Sequence, residues 1–171
     1  KLDQKDLEKE LDRTLELFKQ LEVEQKLKEA IDKLDEISKD QKDLANKTEE
    51  GKSNSDSLKK EQEELNKEFE DLKIEMDELE KKNEELENPQ EIGDNDPEMN
   101  DIKKDMEQSE QELGEKQSKK AGKSQKSASD KMDQLSQKMK KQQQKEEEEQ
   151  AGEDMQSLRA LLENLIRFSL N

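Results

Sequence analysis

Apolar residues along this chain recur in steps of three and four, separated by long charged stretches, which is the spacing that lines up one face of an α-helix. The clearest repeat lies between Ser57 and Glu87. Leu58, Leu65, Leu72, Leu79 and Leu86 return every seven residues, and Gln62, Phe69, Met76 and Asn83 each precede a leucine by three. This is a heptad seam with leucine at d and a mixed set at a, polar at both ends and bulky in the middle. Lys1 to Asn46, free of Gly and Pro, carries a second seam: Val23, Leu27, Ala30, Leu34, Ile37, Gln41 and Leu44. Upstream, Leu7, Leu11, Phe18 and Leu21 form a similar stripe with Thr14 inside it, widened by Leu2, Leu15 and Leu17. Leu21 and Val23 cannot share one helical face, so the two stripes are out of register. Either the helix stutters there or a second partner packs on it.

Breaks in the pattern divide the chain. Thr48 to Asp56 reads as a loop, with Gly51 as a helix stop and Asn54, Ser55 and Asp56 as cap candidates. Asn88 to Pro97 holds both prolines. Pro89 ends the second helix, and Asp96 caps a third with Pro97 in its first turn. Residues 1–88 are thus expected to form an antiparallel helical hairpin with its loop at about 48–56. A third long helix is expected over 97–150. Its stripe opens with Met99, Ile102, Met106 and Leu113 and resumes in a new register as Ala121, Gln125, Ala128, Met132, Leu135 and Met139. Gly114 and Gly122 fall between, so the helix runs through, kinks or turns back near 114–122. The small residues there (Ala121, Ser124, Ser127, Ala128, Ser129) allow close approach of a neighbour. Ala151-Gly152 is expected to break the pattern again, before a short apolar helix over 154–170. Its Leu158, Leu161, Leu162, Leu165, Ile166 and Phe168 form a candidate interaction surface, packing on the bundle or on a missing partner.

Composition then separates a rod from a disordered chain. Of 171 residues, 47% are charged and 25% hydrophobic, with a net charge of -17. That apolar share is too small for a compact sphere but enough for a rod of long helices, each burying one stripe. Five Gly and two Pro are too few for disorder. The expected fold is all-α: long antiparallel helices in an elongated coiled-coil-like bundle. Its packing seam includes Leu27, Leu34, Ile37, Leu58, Leu65, Phe69, Leu72, Met76, Leu79 and Leu86.

Candidate chemistry is sparse. The chain has no Cys and no His, so it lacks thiolate chemistry, the commonest metal ligand and the usual near-neutral acid–base group. Gly122-Lys123-Ser124 and Gly51-Lys52-Ser53 resemble the tail of a phosphate-binding loop, but Gln117 and Asn46 stand where its first glycine belongs. Asp94, Asp96 and Glu98 alternate as in a calcium loop, but Met99 holds the required glycine position. Asn46-Lys47-Thr48 is a glycosylation sequon by pattern alone. No catalytic, cofactor-binding or metal-binding residue is assigned, and an enzyme is not expected. No apolar run approaches the ~18 residues of a membrane span.

Charge is uneven. Lys116 to Lys145 holds ten lysines and two acids, a segment of +8 in an otherwise strongly acidic chain. Without Arg or aromatics, nucleic acid is not the expected partner. The segment is expected to pack beside the acidic second helix of its own bundle.

Several runs together, KLDQKDLEKELDRTLELFKQLEVEQKLKEAIDKLDE, KKEQEELNKEFEDLK, KSASDKMDQLSQKM and EDMQSLRALLENLIRFS, resemble the helical region of an uncharacterised family of large, membrane-anchored proteins of Bacteroides-type bacteria. The resemblance implies a cell-envelope, periplasmic location and a segment of a much longer chain anchored through parts outside this one. Lys1 in place of an initiating Met fits a fragment. The family carries no assigned activity and no functional residues to transfer. The expected function is a structural or interaction module whose partner is protein, through self-association or the rest of a longer chain. The alternative is a holdase-type chaperone clasping unfolded clients between its helices.

Overall fold

The computed structural model describes the backbone of residues 4–51 and 53–169, and the side chains of residues 4–152 apart from 6, 52 and 150. It is all-helical among the described residues: α1 spans Gln4–Glu50, α2 Ser55–Glu84, α3 Asp96–Gly114 and α4 Ser118–Ser169. At 1.5 Å per residue, α1 and α4 extend about 70 and 78 Å, whereas α2 and α3 reach only about 45 and 29 Å. Consecutive helices pack against one another, and α4 closes the ring against α1. All four neighbouring pairs are antiparallel.

The core is one stripe per helix. Val23, Leu27, Ala30, Leu34, Ile37 and Leu44 of α1 are buried, and Ile31 and Ala45 beside them widen the stripe. Leu58, Leu65, Phe69, Leu72, Met76 and Leu79 of α2 meet them, with Met99, Ile102, Met106 and Leu113 of α3 and Ala121, Ala128, Met132, Leu135 and Met139 of α4. Every residue assigned to the packing seam from the sequence is buried. Along α1 and α4 the approach is close. Gly122 lies against α1, where an added Cβ would stand 3.1 Å from Glu49 Cγ. The Ser129 hydroxyl donates to the Ser38 carbonyl (3.1 Å) and the Ser38 hydroxyl to Asp133 Oδ1 (2.5 Å). The small residues of α4 thus serve close approach, as their sizes suggest.

The joints differ in detail from the sequence reading. α1 runs on to Glu50, because Gly51, at φ +66, is the first residue to take a left-handed conformation. Asn54 caps α2, accepting from the Asp56 amide. α2 ends at Glu84, short of Leu86, which lies in the following turn yet stays buried because the turn folds back over the core. Asn83 is buried at its a position, and its hydrogen bonds go to the following loop. Its side chain donates to the Gln90 carbonyl and accepts from the Gln90 amide, both at 2.8 Å, and so pins the α2–α3 loop. That loop inserts Ile92 and Asn95 as a buried plug, which the polar run around them concealed. Asn95 rather than Asp96 is the N-cap residue of α3, and it makes no side-chain cap bond. Its amide is turned to the Ile92 carbonyl instead.

The expected third helix is two helices. The chain reverses at 115–117, and α4 then runs straight through Gly122. Neither glycine makes the turn: Lys116, at φ +60, takes the left-handed position. The Gln117 amide bonds back to the Glu112 carbonyl and the Lys116 amide to that of Leu113, which terminates α3 in a Schellman motif. α4 also continues through Ala151-Gly152, where a break was expected. One glycine among helix formers costs about 1 kcal/mol relative to alanine, too little to stop a helix when no turn residues follow. Of the region 154–170, only the helical backbone through Ser169 is described. The side chains of Leu158, Leu161, Leu162, Leu165, Ile166 and Phe168 lie outside the described residues.

Leu72→Ala, in mid-core, should lower stability by ~2–5 kcal/mol in thermal or urea unfolding. Glu68→Gln, at the edge of the α1–α2 groove, removes a carboxylate repelled by Asp40 and Glu36 and should change stability by no more than about 0.5 kcal/mol, in the stabilising direction. Lys116→Gly should raise stability by up to about 1 kcal/mol, because a non-glycine residue is strained in the left-handed region. A neutral or destabilising result at 116 would count against the turn as described.

Candidate interaction surfaces

Three features stand out from the uniform seam. The first is a polar layer across the middle of the bundle. Gln41 of α1, Gln62 of α2, Ser109 of α3 and Gln125 of α4 are each 0% exposed. Gln41 and Gln62 exchange amide hydrogen bonds in both directions, at 2.8 Å each. Gln62 Oε1 also accepts from the Ser109 hydroxyl (2.7 Å) and from Gln125 Nε2 (3.1 Å). Gln62 Nε2 reaches outward to Asn66 Oδ1 (2.9 Å), which carries the network to Glu110. Gln125 Oε1 is left without a hydrogen-bond partner. The sequence marked Gln41, Gln62 and Gln125 as separate polar seam positions. Antiparallel pairing brings them to one level, and adds Ser109, whose place in the α3 stripe was overlooked. An amide buried opposite leucine loses its partners, so the layer penalises any slide of one helix along another.

The second feature is the charged exterior. Interhelical ion pairs line every groove: Lys33–Glu75 and Lys82–Glu22 between α1 and α2, Lys103–Glu70 between α2 and α3, and Lys131–Asp105 and Lys138–Glu98 between α3 and α4. Lys126–Glu49 and Lys140–Asp35 join α4 to α1. The basic helix therefore sits between α1 and α3 and not beside acidic α2, which stands diagonally across the core. The turn at 115–117 makes α4 an antiparallel neighbour of α3, and the small-residue face selects α1 on its other side. Each exposed pair contributes little to stability. Lys119, Lys120 and Lys123, near the start of α4, make no ion pair among the described residues and are exposed.

Acidic neighbours crowd α2. Partial burial raises the pKa of Glu68, with Asp40 and Glu36 of α1 adding repulsion. Burial also raises Glu80, with Asp96 next in effect. Lys138 holds Glu98 below the usual carboxylate range by hydrogen bonding.

The third feature is an apolar stripe that no described residue buries. Leu7, Leu11, Leu15, Leu17, Phe18 and Leu21 on α1 are 52–69% exposed. No group of three or more acidic side chains among the described residues could hold a metal ion. Among those residues, no helix is long and apolar enough to cross a membrane.

Two outcomes follow. A raised carboxylate pKa means the folded state binds more protons than the unfolded chain, so stability falls as pH rises through that range. Acidification toward the usual carboxylate range should therefore raise the melting temperature. It should fall again only once groups with lowered pKa, such as Glu98, protonate. Gln62→Leu should cost ~1–3 kcal/mol for each group it strands, while replacing Gln41, Gln62 and Gln125 with Leu and Ser109 with Ala together should restore the melt. No protein-family model, curated protein or solved structure matches this chain.

Proposed function

We propose that the chain is a structural and interaction module, a stiff helical spacer belonging to a larger cell-envelope scaffold protein. The observation that carries this reading is the division of its apolar residues. One stripe per helix closes a core, the outside is charged, and one stripe remains exposed on α1. The envelope location rests on the family resemblance of the sequence.

The alternative, a holdase, needs apolar surface available to clients between the helices. Met76, Met99, Met106, Met132 and Met139 would supply it, but they are 0–4% exposed and engaged with one another's helices. Opening the bundle to reach them would break the polar layer as well. The scaffold reading is therefore preferred.

Stiffness and client binding can be measured separately. The chain has no cysteine, so spin labels at Ser57→Cys and Glu84→Cys, both exposed, report only on the two ends of α2. Pulsed electron resonance should give a narrow distance distribution near ~40 Å, as 27 residues of helix require. A broad distribution would argue against a spacer. Equimolar protein should leave the thermal aggregation of a client enzyme unchanged, and suppression of it would favour the holdase.

A further inference from the structure

α1 carries two apolar stripes on opposite sides. The buried stripe starts at Val23. Counting back from Val23 in the same steps of three and four gives Gln20, Glu16, Arg13 and Lys9, all polar. The upstream apolar residues stand two positions before these: Leu11 before Arg13, Phe18 before Gln20, Leu21 before Val23. Two residues are about 200° of helix rotation, so the stripes lie nearly back to back. The bundle shows the same thing independently. Glu16 accepts from the Glu87 amide (2.6 Å), so the loop after α2 closes over the polar side of α1, while Glu22 and Glu24, at the two edges of the apolar stripe, reach Lys82 and Gln90. The apolar side is exposed and none of its residues is buried by a described residue.

Resting on the interaction-module reading, we propose that this outer stripe of α1 is a self-association surface, and that its occupant is the same stripe of a second copy, antiparallel across a two-fold axis. The area suits it. Six side chains at roughly 100 Å² each present about 600 Å² per copy, as large as the largest patch on an ordinary monomer. Two such patches bury on the order of 1,200 Å², the lower bound of a stable specific interface. A two-fold contact uses one patch twice, so it needs no second surface elsewhere. The heptad spacing also fits. In the antiparallel register Leu7 of one copy meets Phe18 of the other, and Leu11 meets Thr14. At the flanks Glu8 falls opposite Leu15 and Glu10 opposite Leu17, so no carboxylates face one another across the seam.

Sedimentation equilibrium of the full chain should show a monomer–dimer equilibrium with a dissociation constant in the micromolar range, about what an interface at this lower bound supports. Leu11→Lys and Phe18→Lys should each weaken the dimer at least about tenfold, since each places a charge in the seam. Their helical circular dichroism should match the parent's, because both residues are exposed in the monomer. Three results would overturn the proposal. One is a parent chain that stays monomeric at ~100 μM. Another is a dimer indifferent to both substitutions. The third is a monomer whose melt drops with Phe18→Lys, which would mean that the stripe is covered by its own chain. None of these touches the spacer reading, which the spin-label distance tests separately.

Discussion

With a quarter of its residues apolar, this chain can bury only one narrow stripe on each helix, and every other property of the bundle is bound by that limit. A stripe one or two side chains wide cannot cover a sphere, but it can line the axis between four parallel or antiparallel rods. The core is therefore long and thin. The remaining face of every helix meets water, which is why charge dominates the composition without disordering the chain. Net repulsion from 17 excess negative charges is moderated by placing the basic helix between α1 and α3, so that lysines meet carboxylates in the grooves on both sides.

A thin and repetitive core has a weakness: seven-residue slips look alike. Leucine at every d position of α2 would pack almost as well one heptad along. The Gln41–Gln62–Ser109–Gln125 layer breaks this degeneracy, because only one alignment brings the four polar side chains to the same level. Hydrogen bonding here selects an arrangement more than it adds stability. The Asn83–Gln90 pair and the buried Ile92 do the same at one end of the bundle, where the loop is held in one conformation over the core.

Function follows from what the seam leaves over. The core consumes the methionines and leucines of α2, α3 and the first part of α4. The outer stripe of α1 is different in kind: it is as apolar as the core but carried on the wrong side of the helix to join it. On the proposed reading, pairing of this face between copies would join single spacers into an assembled scaffold.

Much of this was legible in the chain itself. Period, composition and the scarcity of Gly and Pro determined that the protein is helical and which residues line the core, because burial of a narrow stripe depends on local spacing alone. The mismatch between Leu21 and Val23 was visible too, although spacing could not say whether the helix bends or keeps straight with one stripe exposed. Tertiary structure decided the rest. The turn at 115–117 rests on a lysine in a glycine's conformation, and two glycines that looked like breaks lie within helices, one because α1 needs the space. Which helices are neighbours, and that three glutamines and a serine form one layer, depend on contacts between residues 14 to 105 positions apart. No local pattern encodes those, since a heptad specifies a face to be buried without naming the helix that buries it.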